Sequence, residues 1–294
     1  MTQLSYRPRA SSSSSHTAIS TAPSGFVPAT RDGLRHVEHV MGMPVMFEIC
    51  DPQISEDVLA GVVSWLHWVD ATFSTHRADS QISRLNRGEL AAAQADPAVS
   101  EVLARCAELK RETAGFFDIE APYRNGVAPA AGAGGPGSVE PSGYVKGWAI
   151  AGAAQRLHDA GARNFSVNAG GDAQLSGHPD SGERWRVGIQ HPRLAGEIAM
   201  TLCLRDQAIA TSGSYARGEH ITDPTSGSRP AGLLSVTIVG PQIVTADAYA
   251  TAAFAMGATR AAAFCAGLDG YEAVLIRDDD TVLTTPGIDA LRGD

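Results

Sequence analysis

The alternation of apolar and polar residues divides the chain into short helices and strands. Helical spacing of apolar residues predicts helices over 55–73 and 97–113, and 144–160 also reads as helical. Runs rich in β-branched and aromatic residues, separated by turn residues, predict strands. Two strands are predicted within 36–50, and others over 164–167, 173–175, 185–190, 197–204, 208–210, 233–239, 272–277 and 281–284. Helices and strands mix without a regular βαβ rhythm, which favours an α+β fold.

The most informative segment is 244–257, where apolar residues lie on nearly every side of a predicted helix. Such a helix is expected to be buried, yet Asp247 and Thr251 lie four residues apart on one face. A buried carboxylate is costly unless paired, and no Lys or Arg lies nearby in the sequence. The carboxylate oxygen of Asp247 and the hydroxyl oxygen of Thr251 would suit Mg²⁺ better than Zn²⁺ as ligands. Alternatively, Asp247 caps the helix or accepts backbone hydrogen bonds. A short helix over 259–266 follows.

The composition of the N-terminal residues sets the predicted domain boundary. Residues 1–35 are rich in Ser, Thr and Pro and contain neither the apolar core of a signal peptide nor a cysteine for lipid attachment. We therefore expect a disordered tail, a single domain over 36–294 and a cytoplasmic protein. Residues 126–137, mostly Ala, Gly and Pro, predict a long loop. No apolar run is long enough to predict a membrane-spanning helix.

Net charge argues against nucleic-acid binding, and cysteine spacing argues against a zinc site. The net charge of −9, without a basic stripe, argues against a nucleic-acid-binding protein. The cysteines are widely spaced and form no C-x-x-C pair, which argues against a cysteine zinc site and favours buried free thiols. They are Cys50, Cys106, Cys203 and Cys265.

Several short polar motifs each allow a functional and a structural interpretation. The glycines of 170–172 could let the backbone approach a ligand or simply form a tight turn. The hydroxyls of 211–213 could hold phosphate oxygens or belong to an ordinary loop. His220, beside an Asp-Pro turn, could be a general base or a structural histidine. Lys146, near a helix start, could attract an anion or be a solvated charge. His76 could stack on a planar ring, or Asp79 and Ser80 of the same loop could simply cap the next turn.

Taken in order, these motifs resemble those of the ApbE family, the FAD:protein FMN transferases. The similar segments are 41–42, 74–76 with Ser80 and Asn86, 115–119, 143–147, 170–172, 211–213, 220–227 and 246–251. The resemblance implies a T-fold-like α+β domain with mixed or antiparallel sheets packed with helices. It also implies Mg²⁺-dependent protein flavinylation, in which FMN passes from FAD to a Thr or Ser hydroxyl of an acceptor protein and AMP is released. FAD pyrophosphatase activity and non-catalytic FAD binding are alternatives.

The resemblance also assigns roles to particular residues. Asp247, Thr251 and the backbone carbonyl of Gly143 would hold Mg²⁺, and the catalytic residues would be Asp247 and His220, the latter as the candidate base. The positions that would contact the flavin nucleotide are Met41, His76, Phe116, Phe117, Asp118, Glu140, Lys146 and Ile221. Two of these depart from the family pattern, because Glu140 stands where Asp is usual and His76 where an aromatic residue is frequent.

Overall fold

One large antiparallel sheet forms the centre of the fold. A computed structural model describes residues 1–5, 25–28, 33–126, 137–213 and 221–293. In chain order, the strands of these residues are β1 (Thr2–Ser5), β2 (Gly25–Pro28), β3 (Leu34–Val40), β4 (Met43–Ile49), β5 (Phe165–Ala169), β6 (Asp172–Ser176), β7 (Trp185–Gln190), β8 (Ile198–Leu204), β9 (Ala208–Gly213), β10 (Leu233–Gly240), β11 (Glu272–Arg277) and β12 (Thr281–Thr284). Ten of them form a sheet in the order β1-β12-β11-β10-β9-β6-β5-β4-β3-β2, while β7 and β8 pair separately.

Some of the helices begin at a residue whose side chain caps the first turn. The helices are α1 (Glu56–Phe73), α2 (Gln81–Asn86), α3 (Pro97–Glu112), α4 (Ala121–Arg124), α5 (Ser142–Asp159) and α6 (Ile243–Ala266). The Ser55 hydroxyl accepts a hydrogen bond from Val58 N at 3.4 Å, and Ser80 accepts one from Ser83 N at 3.0 Å. Both bonds satisfy N–H groups that have no partner within the first turn of a helix.

Apolar side chains on the two faces of the sheet form two separate cores. On β11, Ala273 and Leu275 belong to the larger core with α1, α3, α5 and α6, whereas Val274 and Ile276 face a smaller core with the β7–β8 hairpin. This alternation follows from the two-residue period of a strand. All eight residues of β10 are buried, as expected for a strand covered on both faces.

The predicted α+β architecture and nearly all of the predicted elements agree with the structure, which adds two short N-terminal strands that the sequence did not predict. Strands β1 and β2 lie at opposite edges of the sheet, within a segment that the sequence predicted to be disordered. A sheet edge presents unpaired backbone groups, which an extended segment of almost any composition can satisfy. Residues 6–24 and 29–32, and most of the predicted loop over 126–137, lie outside the described residues.

The two helices predicted over 244–257 and 259–266 form one helical element with a break at Gly257. Gly257 has φ 70° and ψ 168°, outside the helical region. Ala258 N then donates a hydrogen bond to Ala231 O at 3.0 Å, so the break is tied to a neighbouring loop. Glycine suits this position because it has no Cβ to clash at positive φ.

No helix among the described residues is both long and apolar enough to span a lipid bilayer.

A buried carboxylate joins the end of β4 to the start of β5. The side chain of Asp51 accepts hydrogen bonds from Arg163 N at 2.7 Å, Asn164 N at 2.6 Å and Asn164 Nδ2 at 3.0 Å. Burial would raise the pKa of Asp51, but these hydrogen bonds outweigh it and hold the pKa below 3.8. The ionised carboxylate therefore stabilises the fold at neutral pH.

We expect Asp51→Ala to lower the free energy of unfolding by about 1–3 kcal/mol, because it leaves partly buried N–H groups without acceptors. The folded-state pKa is lowered, so the contribution is present above pH 3.8 and is lost as the pH falls through the folded-state value. Urea unfolding at pH 7 and at acid pH measures both effects. The difference between wild type and variant should shrink in acid, and the exposed Asp269→Asn variant serves as the control. Equal stability of wild type and Asp51→Ala at pH 7 would contradict the expectation.

Candidate metal and nucleotide site

Helices α5 and α6 meet closely where the chain has Gly147. A Cβ added there would lie 2.9 Å from Val244 Cα and 3.0 Å from Ile243 O, so only glycine permits this approach. Gly147 N donates a hydrogen bond to Asp247 Oδ2 at 2.8 Å. The contact therefore partly satisfies a carboxylate on an otherwise apolar helix, as the backbone-acceptor alternative from the sequence anticipated.

The Asp247 side chain is almost fully buried, and Lys146 is its cationic partner. Lys146 Nζ lies 3.2 Å from Asp247 Oδ1, although the two residues are distant in the sequence. Burial raises the pKa of Asp247 to about 7, the Lys146 charge opposes this rise, and the Asp172 charge adds to it. A carboxylate held in this way favours any further positive charge that can reach it.

Asp172 is the second carboxylate of this cluster. It stands at the start of β6, is 1% exposed and forms an ion pair with Lys146. Its other oxygen accepts a hydrogen bond from Thr211 N at 2.9 Å. One lysine thus faces two carboxylates, and the cluster carries an excess negative charge when all three groups are ionised.

Thr251 lies one helical turn beyond Asp247 and faces the start of α5. A Cβ on Gly143 would lie 3.5 Å from Thr251 Oγ1 and 3.4 Å from Phe117 Cε2. The Ser212 hydroxyl lies 3.3 Å from Thr251 Oγ1. The fold therefore brings Gly143, Phe117, Ser212 and Thr251 together at one end of the α5–α6 contact.

These donors fit a magnesium ion. A carboxylate, a hydroxyl and a backbone carbonyl are hard oxygen ligands, and Mg²⁺ in proteins keeps several waters alongside a few such groups. Across the described parts of the chain, no group of three or more His, Cys, Asp or Glu side chains could hold a metal ion. A metal at this site would consequently depend on Asp247 together with neutral oxygens from Thr251 and Gly143.

Glu140 connects the loop after α1 to the start of α5. Its carboxylate accepts hydrogen bonds from the hydroxyls of Thr75 and Ser142, and from Ser142 N at 3.1 Å. The neighbouring residue Val139 exchanges two hydrogen bonds with the Asn86 side chain, at 2.9 and 3.0 Å. Glu140 was predicted as a nucleotide contact, and in this structure its two oxygens hold the protein segments around Gly143.

Asp118, a second predicted nucleotide contact, is nearly buried and paired with two cations. Arg124 Nη2 lies 2.7 Å and Lys110 Nζ 3.0 Å from Asp118 Oδ2. Burial would raise the pKa of Asp118, but the hydrogen bonds from Arg124 and Lys110 keep it below its usual value. The carboxylate is therefore ionised at neutral pH, with its side chain held by its neighbours.

The remaining predicted contacts lie in different surroundings. Met41 and Ile221 are partly buried against the larger core, and Met41 shares a hairpin turn with Gly42, both at positive φ. Phe116 is partly buried, with the Arg260 guanidinium 5.4 Å from its ring centre. His76 is exposed in the loop after α1. His220 lies outside the described residues.

Three polar residues near the site were not singled out from the sequence: Thr75, Asp172 and Ser212. Each stood inside a motif that was noted, but their partners come from distant parts of the chain. Asp172 reaches Lys146, Ser212 reaches Thr251, and Thr75 reaches Glu140. Only the order of the motifs could have signalled this convergence, since no local pattern pairs these residues.

Solved structures share this fold. Flavin Transferase ApbE from Vibrio cholerae superposes with a TM-score of 0.75 and 24% identity, covering 92% of this chain and all of that one. The ApbE protein from Thermotoga maritima gives a TM-score of 0.76 at 20% identity, covering 89% of this chain. The apo form of flavinyl transferase ApbE from Pseudomonas stutzeri gives 0.74 at 23% identity, over 89% of this chain. These likenesses confirm the α+β fold with its antiparallel sheet and packed helices.

The sequence model of the ApbE family matches residues 41–122 and 131–275, so this chain belongs to the ApbE family. A FAD:protein FMN transferase of Vibrio cholerae serotype O1 is 33% identical over 153 residues, 48% of this chain and 46% of that protein. One from Rhodobacter capsulatus is 35% identical over 153 residues, 49% of this chain and 29% of that protein. The matched region thus spans less than half of each of these two relatives.

We expect Gly147→Ala to weaken the α5–α6 contact, because its Cβ would meet the backbone of Val244 and Ile243. Overpacking of this kind costs about 1–3 kcal/mol, and chemical denaturation followed by circular dichroism measures it. The matched control is Gly61→Ala on the exposed face of α1, where nothing lies within 4 Å of the added Cβ. That variant should gain about 0.5–1 kcal/mol through helix propensity. An equal change in the free energy of unfolding of the two variants would rule out the close contact between α5 and α6.

Proposed function

We propose that this chain catalyses Mg²⁺-dependent transfer of FMN from FAD to a Thr or Ser hydroxyl of an acceptor protein, with release of AMP. The observation that carries the proposal is the contact of α5 with α6, in which Gly143 lies beside Thr251 and Gly147 beside Asp247. Asp247 belongs to a buried cluster of two carboxylates and one lysine. Membership of the ApbE family supports the reaction class. The curated relatives named above carry the name of this activity.

The proposed reaction is a displacement at the phosphorus atom of the FMN half of FAD. The acceptor hydroxyl oxygen forms a bond to this phosphorus, the bond to the bridging oxygen breaks, and AMP leaves with that oxygen. A cation held by Asp247, Thr251 and the Gly143 carbonyl would offset the charge of the pyrophosphate and of the leaving phosphate. His220 would accept the hydroxyl proton. The predicted contacts Met41, His76, Phe116, Phe117, Asp118, Glu140, Lys146 and Ile221 would orient the nucleotide.

The identity of the acceptor separates this reaction from its alternatives. If water replaces the protein hydroxyl, the same displacement gives FMN and AMP, which is FAD pyrophosphatase activity. If no displacement occurs, the chain is a FAD-binding protein. A cytoplasmic location remains a prediction from the sequence, and the acceptor would be a protein or domain in the same compartment.

AMP release from FAD and Mg²⁺, with and without a Thr-containing acceptor protein, tests the proposal. Transfer predicts AMP only with the acceptor, together with flavin bound covalently to it. Asp247→Asn should lower this turnover by roughly 10³-fold, because the amide cannot supply the anionic ligand. Its unfolding temperature in chelator should fall, because the amide sets an N–H donor against Lys146 or Gly147 N, so turnover is compared well below that temperature. Asp159→Asn, at an exposed position ending α5, is the control and should keep full turnover. Release of AMP without acceptor favours the pyrophosphatase, and no release favours binding alone.

His220→Ala should slow turnover by about 10²–10⁴-fold while changing the dissociation constant for FAD much less, since a general base acts only in the chemical step. Single-turnover kinetics and flavin fluorescence titration measure the two quantities. Raising the pH should partly restore the rate of the variant, because hydroxyl deprotonation then needs less assistance. A defect confined to FAD affinity would remove the proposed role as base.

A further inference from the structure

Lys146 occupies one oxygen of the carboxylate that the proposed function assigns to the metal. Its ammonium lies 3.2 Å from Asp247 Oδ1, while Gly147 N occupies Oδ2 at 2.8 Å. Both oxygens of Asp247 therefore have a positively polarised partner in this structure. The ammonium also forms an ion pair with Asp172, which is 1% exposed.

A lysine ammonium and a divalent cation cannot both approach Oδ1 without strong mutual repulsion. Two positive charges that contact the same oxygen repel each other far more inside a protein than in water, because the effective dielectric constant is lower. When a cation binds Asp247, the ammonium must therefore move away or lose contact. Asp172 offers it a second carboxylate at hydrogen-bonding distance, on a different structural element, strand β6.

We propose that Lys146 is the built-in counter-ion of Asp247 in the metal-free protein and competes with the divalent cation for this carboxylate. Asp172 is the positioning residue that keeps the ammonium in the site when the cation binds. The lysine thus stabilises the metal-free fold and weakens metal binding. This inference rests on the proposed function in one respect, the assignment of Asp247 as a metal ligand.

The ion pairs of Lys146 explain how the Asp247 carboxylate can be buried and still be able to bind a metal ion. If neither Lys146 nor a metal ion were present, Asp247 and Asp172 would be two buried carboxylates with no opposite charge beside them. Such an arrangement is strongly unfavourable. Lys146 pairs with both carboxylates and so supplies the opposite charge that the metal-free fold needs. The Asp172 oxygen that accepts from Thr211 N at 2.9 Å also fixes this carboxylate to β9, so its position does not depend on the lysine.

The test compares Lys146→Met with wild type in the absence of FAD, using Mn²⁺ binding by electron paramagnetic resonance and Mg²⁺ binding by calorimetry. We expect the variant to bind either metal at least about tenfold more tightly, because the competing charge is gone. In chelator its unfolding temperature should fall by several degrees, and saturating Mg²⁺ should restore most of the loss. Arg105→Met on α3, where the arginine pairs with Glu108 and Glu112, is the control and should leave metal binding unchanged.

A double-mutant cycle with Asp172→Asn distinguishes competition from a general charge effect. Because the ammonium loses its Asp172 partner in the Asp172→Asn protein, it should compete more strongly for Asp247, and Lys146→Met should improve metal binding more in that background than in wild type. The double variant also retains the net charge of the cluster, so it keeps the comparison possible if Lys146→Met does not fold without metal.

Metal binding that is unchanged or weaker in Lys146→Met would overturn the counter-ion role and leave the proposed function standing. Absence of Mn²⁺ and Mg²⁺ binding in wild type and variants alike would also overturn the proposed competition, because no cation would then contend for Asp247 in the FAD-free protein. The proposed function is tested separately, by AMP release in the presence of FAD, whose phosphates can complete a Mg²⁺ site.

Discussion

The burial of one carboxylate, Asp247, at the contact between α5 and α6 is the constraint on which the site depends. An ionised side chain in an apolar helix costs several kcal/mol unless its oxygens find partners. Here one oxygen is met by Gly147 N and the other by Lys146. Both partners come from a single helix, α5, so the same contact that packs the core also fixes the charged groups of the site.

A second set of hydrogen bonds determines where α5 begins. Glu140 binds Thr75 and Ser142, and Asn86 binds the backbone of Val139, so the segment before Gly143 is attached to the α1–α2 region. The Gly143 carbonyl, which we propose as a metal ligand, therefore follows a segment fixed by these hydrogen bonds. Preorganisation of this kind matters because a ligand displaced by even one ångström loses much of its effect.

Sequence patterns anticipated the fold more completely than the site. The helices around 55–73 and 97–113 follow from apolar spacing and capping residues. The strand predicted over 233–239 is β10, whose residues are mostly apolar and all buried. The strands β1 and β2 escaped prediction, because pairing at a sheet edge needs little from the sequence of the added strand. Within the candidate site, the common face of Asp247 and Thr251 toward α5 was predictable, since residues four apart share a helix face.

What the sequence determined by itself was therefore local: which segments are helical or extended, which helix is buried, and that Asp247 and Thr251 project together. Motif order added the family, which the comparisons confirmed. The tertiary structure alone decided that Lys146 pairs with Asp247 and Asp172, and that Ser212 lies beside Thr251. The physical reason is that charge pairing and close packing act between atoms that meet only after the sheet has assembled, whereas periodicity and capping act within a few residues of the chain.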